Sequence, residues 1–198
     1  MKKYVSLLSF LMLMLLSIST AFAGVSEKVT IIDDNYPLQN IRKLAITTPY
    51  YSPSALTLEL NEKKRPNAPQ ILTKEMLAQA ALNVAKEDNV PFEVISNDAI
   101  AAQLFPNDPT IDQVSTTYKK AYKQQIKNYA DAYVVFTFSN DSYVSMTADI
   151  YDAKDNHWIY SYRIVNGKAD NDTLENYNMF MHKFYRTLGL EAEKQTKA

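Results

Sequence analysis

Cysteine is absent from the 198 residues. Its absence excludes a disulfide framework, thiol chemistry and a lipid-bearing cysteine behind a leader. Glycine occurs only three times. Phosphate-cradling loops and the strained Gly-x-Ser-x-Gly turn of serine hydrolases both need glycines at fixed spacing, so neither is present. Histidine occurs twice, as His157 in a polar turn and His182 between Met181 and Lys183. These positions make no zinc-site spacing, and a catalytic triad would have to use one of them. Neither sign of charge dominates, with 21 Lys and Arg against 22 Asp and Glu. A broad nucleic-acid binder usually carries a strongly basic domain, so no nucleic-acid partner is expected.

What the sequence does contain begins with an export signal. Lys2 and Lys3 precede an apolar run from Val5 to Ile18, and Ala21-Phe22-Ala23 places small residues where a signal peptidase reads. The pattern predicts a signal peptide over 1–23, cleaved after Ala23, and an exported chain beginning at Gly24. A membrane anchor is the rival reading, but a span needs about 20 apolar residues. This run is shorter and is interrupted by Ser6, Ser9 and Ser17. Residues 24–198 are then expected to form one exported domain with no transmembrane segment, periplasmic or secreted. A cysteine-free exported chain suits a bacterial periplasm.

Periodicity predicts an α/β class: a single domain with a mixed sheet of about five strands and packed helices, in the order β-α-β-α-α-β-β-β-α. "KLAITT" (43–48) reads as a short first strand. Residues 50–70, with Ser-Pro, Lys63-Lys64-Arg65-Pro66 and Ala68-Pro69, read as a surface loop. Thr73 is placed to cap a helix with Leu72, Met76, Leu77, Ala80, Ala81 and Val84 on one face, and Ser96 to cap a shorter one. A further helix is expected from near Asp112 to Tyr129, with Tyr118, Tyr122 and Ile126 on its buried stripe.

The second half is the more strongly patterned. Ala132 to Phe138 is apolar on both faces, as for a strand covered on both sides. Val144, Met146, Ala148 and Ile150 alternate with Tyr143, Ser145, Thr147, Asp149 and Tyr151, giving a buried and a half-wet face. The turn Asp152-Ala153-Lys154-Asp155-Asn156 leads to a returning strand with Trp158, Tyr160, Tyr162 and Ile164 inward. In the closing helix, Asp172 and Glu175 have capping-box spacing and Gly189 is a ready terminator.

Candidate sites are few. Asp131 stands at the entry of a core strand without an acid, base or nucleophile at motif spacing, so it is read as a turn residue. Asp152 and Asp155 lack the twelve-residue loop and terminal glutamate of a calcium site. No catalytic, metal or cofactor-binding residue is assigned. Lys119, Lys123 and Lys127 form a stripe at spacing four beside tyrosines. It could meet an anionic envelope polymer or a membrane surface, and the plainer reading is a solvated helix face. On the half-wet hairpin face, Tyr143, Asp149 and Tyr151 are the candidate partner-binding residues, offering aromatic anchors and a charge at cross-strand spacing.

The segments "NYADAYVVFTFSND", "YVSMTADIYDAKDNHWIYSYRIV" and "LENYNMFMHKFYRTLGLE" carry a family resemblance. They resemble the second half of the amino-terminal domain of TolB, the periplasmic propeller protein of the Tol system, and the related CsgG-like lipoproteins. The matching pieces are Ala130-Asp131, Ile150-Tyr151-Asp152 and Thr187-Leu188-Gly189. The chain departs from that family in having no lipid-bearing cysteine and no propeller repeats after Gly189. The resemblance implies an α/β envelope domain that works by protein contacts and has no catalytic residues.

Taken together, these features predict a noncatalytic envelope protein acting as a protein-protein interaction or assembly module, with other envelope proteins or its own copies as partners. A periplasmic binder of a small or polymeric ligand is the alternative, and an unrecognised hydrolase the third reading. A deep apolar pocket with convergent polar groups would favour the binder. An exposed strand edge or apolar patch without a pocket would favour the interaction module.

Overall fold

The computed structural model describes residues 27–108, 110–140, 143–166 and 172–197. The expected leader over 1–23 and its cleavage point at Gly24 lie outside them. The elements run β1 (Glu27–Ile32), β2 (Lys43–Ile46), α1 (Ala55–Glu62), α2 (Lys74–Glu87), β3 (Glu93–Ile95), α3 (Asn97–Leu104), α4 (Thr116–Gln125), β4 (Ala132–Ser139), β5 (Val144–Asp152), β6 (Trp158–Asn166) and α5 (Leu174–Lys197). The six strands form one sheet in the order β1-β6-β5-β4-β2-β3. β4, β5, β6 and β1 pair antiparallel, and β2 runs parallel to both β3 and β4.

Alternation in the strands decides what each sheet face covers. Leu44, Ile46, Val134, Phe136, Met146, Ala148, Ile150, Tyr160, Tyr162 and Ile164 all point to one face, which packs under α2 and α5. Phe136 sits at its centre, 5.4 Å from the Phe184 ring in an edge-to-face arrangement. Ala45, Tyr133 and Val135 point to the other face, where Ile100 of α3 and Tyr118 and Tyr122 of α4 cover them. The expected two-sided burial of β4 and the buried face of β5 are therefore present.

The structure adds two elements to the sequence reading. β1 is a sixth strand, held by its register with β6 from Glu27↔Val165 to Ile32↔Tyr160. α1 lies inside 50–70, the stretch read as a loop. Ser54 caps it by accepting from Thr57 N at 3.0 Å, and Asn61 Nδ2 donates to Thr57 O and Pro69 O at 2.8 Å each. The prolines at 66 and 69 thus fall in the turn after α1, not within it.

Helix ends follow the expected caps at Thr73, which accepts from Met76 N, and at Ser96, which accepts from Ala99 N. α4 begins later than Asp112: Ser115 accepts from Tyr118 N, while Asp112 closes the preceding turn through Val114 N. In α5 the capping contact comes from Thr173, which accepts from Asn176 N at 3.3 Å. Asp172, expected to cap, is aimed inward. Gly189 does not end the helix, which continues to Lys197. The last turns are anchored to the 3-10 turn at Leu38–Asn40: Gln195 Oε1 accepts from Leu38 N at 2.7 Å, and its Nε2 donates to Tyr36 O.

Candidate functional site

The parallel strands fix where a site can form. From β2 the chain passes over one sheet face through α2 to β3, and from β3 it returns over the other face through α3 and α4 to β4. β3 and β4 therefore lie on opposite sides of β2. A sheet whose connections diverge in this way opens a crevice at the carboxyl ends of its strands, the usual ligand position in open α/β sheets. A cleft of about 580 Å³ lies beyond the carboxyl end of β2, between α4, the start of α3 and the Tyr133–Val135 face of β4. Its floor is apolar and aromatic, from Tyr118, Tyr122, Tyr133 and Val135, and Tyr50, Lys119, Lys120 and Lys123 stand at its lining.

One end of the cleft is a fixed polar cluster. Asn97 Nδ2 donates to Thr48 Oγ1 at 2.7 Å and to Gln113 Oε1 at 2.8 Å, and its Oδ1 accepts from the Tyr118 hydroxyl at 2.7 Å. Thr48 Oγ1 donates to Gln113 Oε1, and Gln113 Nε2 donates to Asp98 Oδ1. The end of β2, the start of α3 and the segment before α4 are thereby locked together. Buried polar groups satisfied in this way hold one geometry, so this end of the cleft is formed in advance of any ligand.

The floor rings Tyr118, Tyr122 and Tyr133 belong to a longer row. Phe105, Tyr118, Tyr122, Tyr133 and Tyr151 follow one another at centroid separations of 5.9, 5.8, 5.7 and 5.3 Å. Burial pushes the Tyr133 hydroxyl up to about 12 and those of Tyr118 and Tyr122 well above the ordinary tyrosine value. The rings therefore stay neutral hydroxyl donors at physiological pH. The Tyr122 hydroxyl is buried and has no hydrogen-bond partner among the described residues. At the rim, Lys119 Nζ lies 5.5 Å from the centre of the Tyr50 ring, a cation–π contact. None of the ion pairs among the described residues involves Lys119, Lys120 or Lys123.

The candidate partner residues Tyr143, Asp149 and Tyr151 share the sheet face away from α2 and α5, but their surroundings differ. Tyr143 is 40% exposed, and its hydroxyl accepts from Arg163 at 3.4 Å. Asp149 accepts from the Ser161 hydroxyl at 2.6 Å. Tyr151 is stacked on Tyr133, 15° from parallel, and lies outside the cleft lining.

The remaining polar groups have structural partners. Asp131 Oδ2 accepts from the backbone N–H of Arg42 and of Lys43, which fastens the start of β2 to β4. Asp152, Asp155 and His157 bring potential ligand atoms within 4.8 Å of one another. They are engaged in closing the β5–β6 turn: Asp152 Oδ1 accepts from Lys154 N and Asp155 N, and Asp155 Oδ1 meets His157 N and Nδ1. His182 Nδ1 is 2.8 Å from Asp88, which Arg186 also holds, so this cluster ties α2 to α5. Asp172 is 3% exposed and accepts from the hydroxyls of Tyr51 and Tyr177 and from Asn140 Nδ2.

Of the cleft residues, the sequence signals only the basic stripe and its neighbouring tyrosines. Of the stripe Lys119, Lys123 and Lys127, the first two line the cleft together with Lys120, while Lys127 falls in the 3-10 turn at Ile126–Asn128. Tyr50, Thr48, Asn97 and Gln113 carry no motif or spacing that marks them as cleft residues.

No protein-family model matches the chain, and no curated protein matches it in sequence. The TolB and CsgG resemblance therefore rests on the quoted residue pattern alone. Among solved structures, the chain is similar to the PelC dodecamer of Paraburkholderia phytofirmans, at 11% identity and a TM-score of 0.46, covering 82% of this chain and 98% of that one. It is also similar to lipoprotein GNA1162 of Neisseria meningitidis, at 13% identity and a TM-score of 0.41, covering 74% and 96%. The LpoB C-terminal domain of Salmonella enterica matches at 12% identity and a TM-score of 0.37, covering 66% and 84%.

Proposed function

We propose that the chain is an exported, noncatalytic binding module of the cell envelope and that it binds through the cleft between α4, the segment that follows β2 and the Tyr133–Val135 face of β4. The observation that carries this reading is the cleft itself. Its volume of about 580 Å³ lies within the roughly 300–1,000 Å³ of ligand sites, and its apolar floor with a few fixed polar groups is the composition such sites have. The leader pattern of Lys2, Lys3 and Ala21-Phe22-Ala23 supports export. Binding without chemistry fits the lining, where hydroxyls, amides and lysines meet without the nucleophile and base pairing that catalysis needs.

A second reading is favoured by Tyr143, exposed beside Arg163 on the open sheet face. In that reading the hairpin contacts another envelope protein, with Asp149 and Tyr151 as its neighbours on the face. A photoreactive residue placed at position 50 or 114, on the cleft, and at position 143, on the hairpin, separates the two in living cells. Adducts at 50 and 114 that disappear when Val135→Trp fills the cleft support the cleft. A discrete protein adduct at 143, with none at 50 or 114, replaces it with the protein-contact reading.

A further inference from the structure

We infer that the ligand of this cleft is an anionic carbohydrate, an acidic sugar chain that lays its rings along the aromatic floor and its carboxylates toward α4. The inference rests on the cleft being a binding site and names what occupies it.

Charge gives the first argument. Lys119, Lys120 and Lys123 line one side of the cleft, and none is paired with a carboxylate among the described residues. Lys119 and Lys123 are four residues apart, about 6 Å along the helix, on the order of one sugar ring along an extended chain. Repeated acidic sugars would thus meet successive lysines. Three uncompensated cations around a low-dielectric floor attract an anion more strongly than the same lysines on a flat surface.

The form of the cations and the floor narrows the class. Phosphate is best held by an arginine fork or by backbone N–H groups in a glycine-rich loop. No arginine lines the cleft, and the three glycines, at 24, 167 and 189, are all remote from it in sequence. Lysines are point charges on flexible stems, suited to carboxylates spread along a polymer. Stacked bases would need several open ring faces. Tyr118, Tyr122 and Tyr133 are buried, and only Tyr50, at 50% exposure, offers a face, on which Lys119 already rests. Ring edges with Val114 and Val135 instead present a shallow apolar surface of the kind that receives the C–H face of a sugar. At the fixed polar end of the cleft, Gln113 gives one amide N–H to Asp98 and keeps a second for a sugar hydroxyl.

Titration of the protein, purified after export with its own leader, tests this with tetragalacturonic acid as the probe. Neutral cellotetraose and vesicles of phosphatidylglycerol are the comparators. The expected result is saturable binding of the acidic tetramer that weakens with added salt. Affinity should fall at least tenfold in Lys119→Gln/Lys123→Gln and, independently, in Tyr50→Ala, both at exposed positions that leave the circular dichroism unchanged. Cellotetraose should bind at least tenfold more weakly. Absence of tetramer binding, or binding unchanged by both variants, overturns the inference. Binding of the vesicles but not of the tetramer overturns it in favour of a membrane surface. Should the tetramer fail while cleft adducts at positions 50 and 114 persist, the carbohydrate class fails and the cleft stands; loss of both removes the site as well.

Discussion

Asp131 and Lys43 are joined twice. The Asp131 carboxylate accepts from Lys43 N at 2.9 Å, and Asp131 N donates to Lys43 O at 3.0 Å. The same carboxylate accepts from Arg42 N at 2.9 Å. An acid at a strand entry invites a catalytic reading, yet here it supplies the acceptor for two N–H groups at the start of β2, before the parallel ladder begins.

Removing that carboxylate should therefore alter stability and leave binding in the cleft alone. Asp131→Ala is expected to cost about 1–2 kcal/mol, because both hydrogen bonds are partly open to water. Asp131→Asn, which keeps an oxygen acceptor, should cost less. Urea denaturation of both variants, beside the crosslinking at position 50, checks the order and the indifference of the cleft.

The core makes a larger prediction. Phe136 is fully buried between Phe138, Phe184 and Tyr185, and Met146 is fully buried on the neighbouring strand. Phe136→Ala should cost about 3–5 kcal/mol and Met146→Ala about 2–5 kcal/mol, from lost burial plus the cavity left behind. Thr137→Ala, on the other face of the same strand and exposed, should stay within about 0.5 kcal/mol. Melting temperatures that fail to separate Phe136 from Thr137 would contradict the face assignment.

Gly189 offers a change in the opposite direction. It lies inside α5, and a Cβ added there would meet nothing closer than Pro91 Cδ at 3.9 Å, an ordinary contact. Glycine in a helix interior costs roughly 0.5–1 kcal/mol relative to alanine. Gly189→Ala should raise stability by about that amount, read as a higher urea midpoint with an unchanged slope.

The same glycine shows where sequence reasoning reaches its limit. β4, β5 and most of β6 were legible because alternation such as Val144-x-Met146-x-Ala148-x-Ile150 is local, and those four residues face the α2 and α5 side, whereas Trp158, read as inward, stands opposite Tyr151 beyond a register shift. The caps at Thr73 and Ser96 were legible for the same reason. Gly189 reads as a stop, but Gln195 finds its partners at Leu38 and Tyr36, across the fold, and the helix continues. β1 depends likewise on β6, far along the chain. The cleft was the least legible part: Thr48 and Asn97 meet across 49 residues, and Asn97 and Gln113 across 16. Within α4, Lys119 and Lys123 and the neighbouring Tyr118 and Tyr122 had a periodic signal.

Alkaline pH should unfold the protein by way of its tyrosines. Burial pushes Tyr133 and Tyr162 up to about 12, and it raises Tyr122, Tyr160, Tyr177 and Tyr185 as well. Unfolded tyrosine releases its proton near pH 10. Above that pH the unfolded chain binds fewer protons than the folded one, so stability falls as pH rises. The contribution is fully present below about pH 10 and is lost above it, by up to about 1.4 kcal/mol per pH unit for each such group, over about 10 to 12 for Tyr133 and Tyr162 and continuing higher for the others. Phenolate absorbance should therefore appear together with loss of the circular dichroism signal; phenolate formed in a still folded chain would contradict the burial.

Asp172 tests whether a buried acid is held by design of the fold. Its carboxylate accepts from Tyr177 OH at 2.9 Å, from Tyr51 OH at 3.2 Å and from Asn140 Nδ2 at 2.8 Å, and Asn140 also donates to Ser52 O at 2.9 Å. One side chain thus joins the segment before α1, the end of β4 and the start of α5. Asp172→Ala strands three donors at once. Each unsatisfied buried group costs about 1–3 kcal/mol, offset where a hydroxyl can turn toward a new partner, so a loss of about 2–4 kcal/mol is expected. Tyr177→Phe removes one donor and should cost less. In the double variant Asp172→Ala/Tyr177→Phe the costs should not add: with the acceptor already gone, deleting the hydroxyl removes a group that had no partner. A coupling energy of about 1–2 kcal/mol in the double-mutant cycle is the expected result. Simple additivity would mean that the acid is satisfied elsewhere and that Tyr177 owes its position to packing against Phe138 and Phe180 alone.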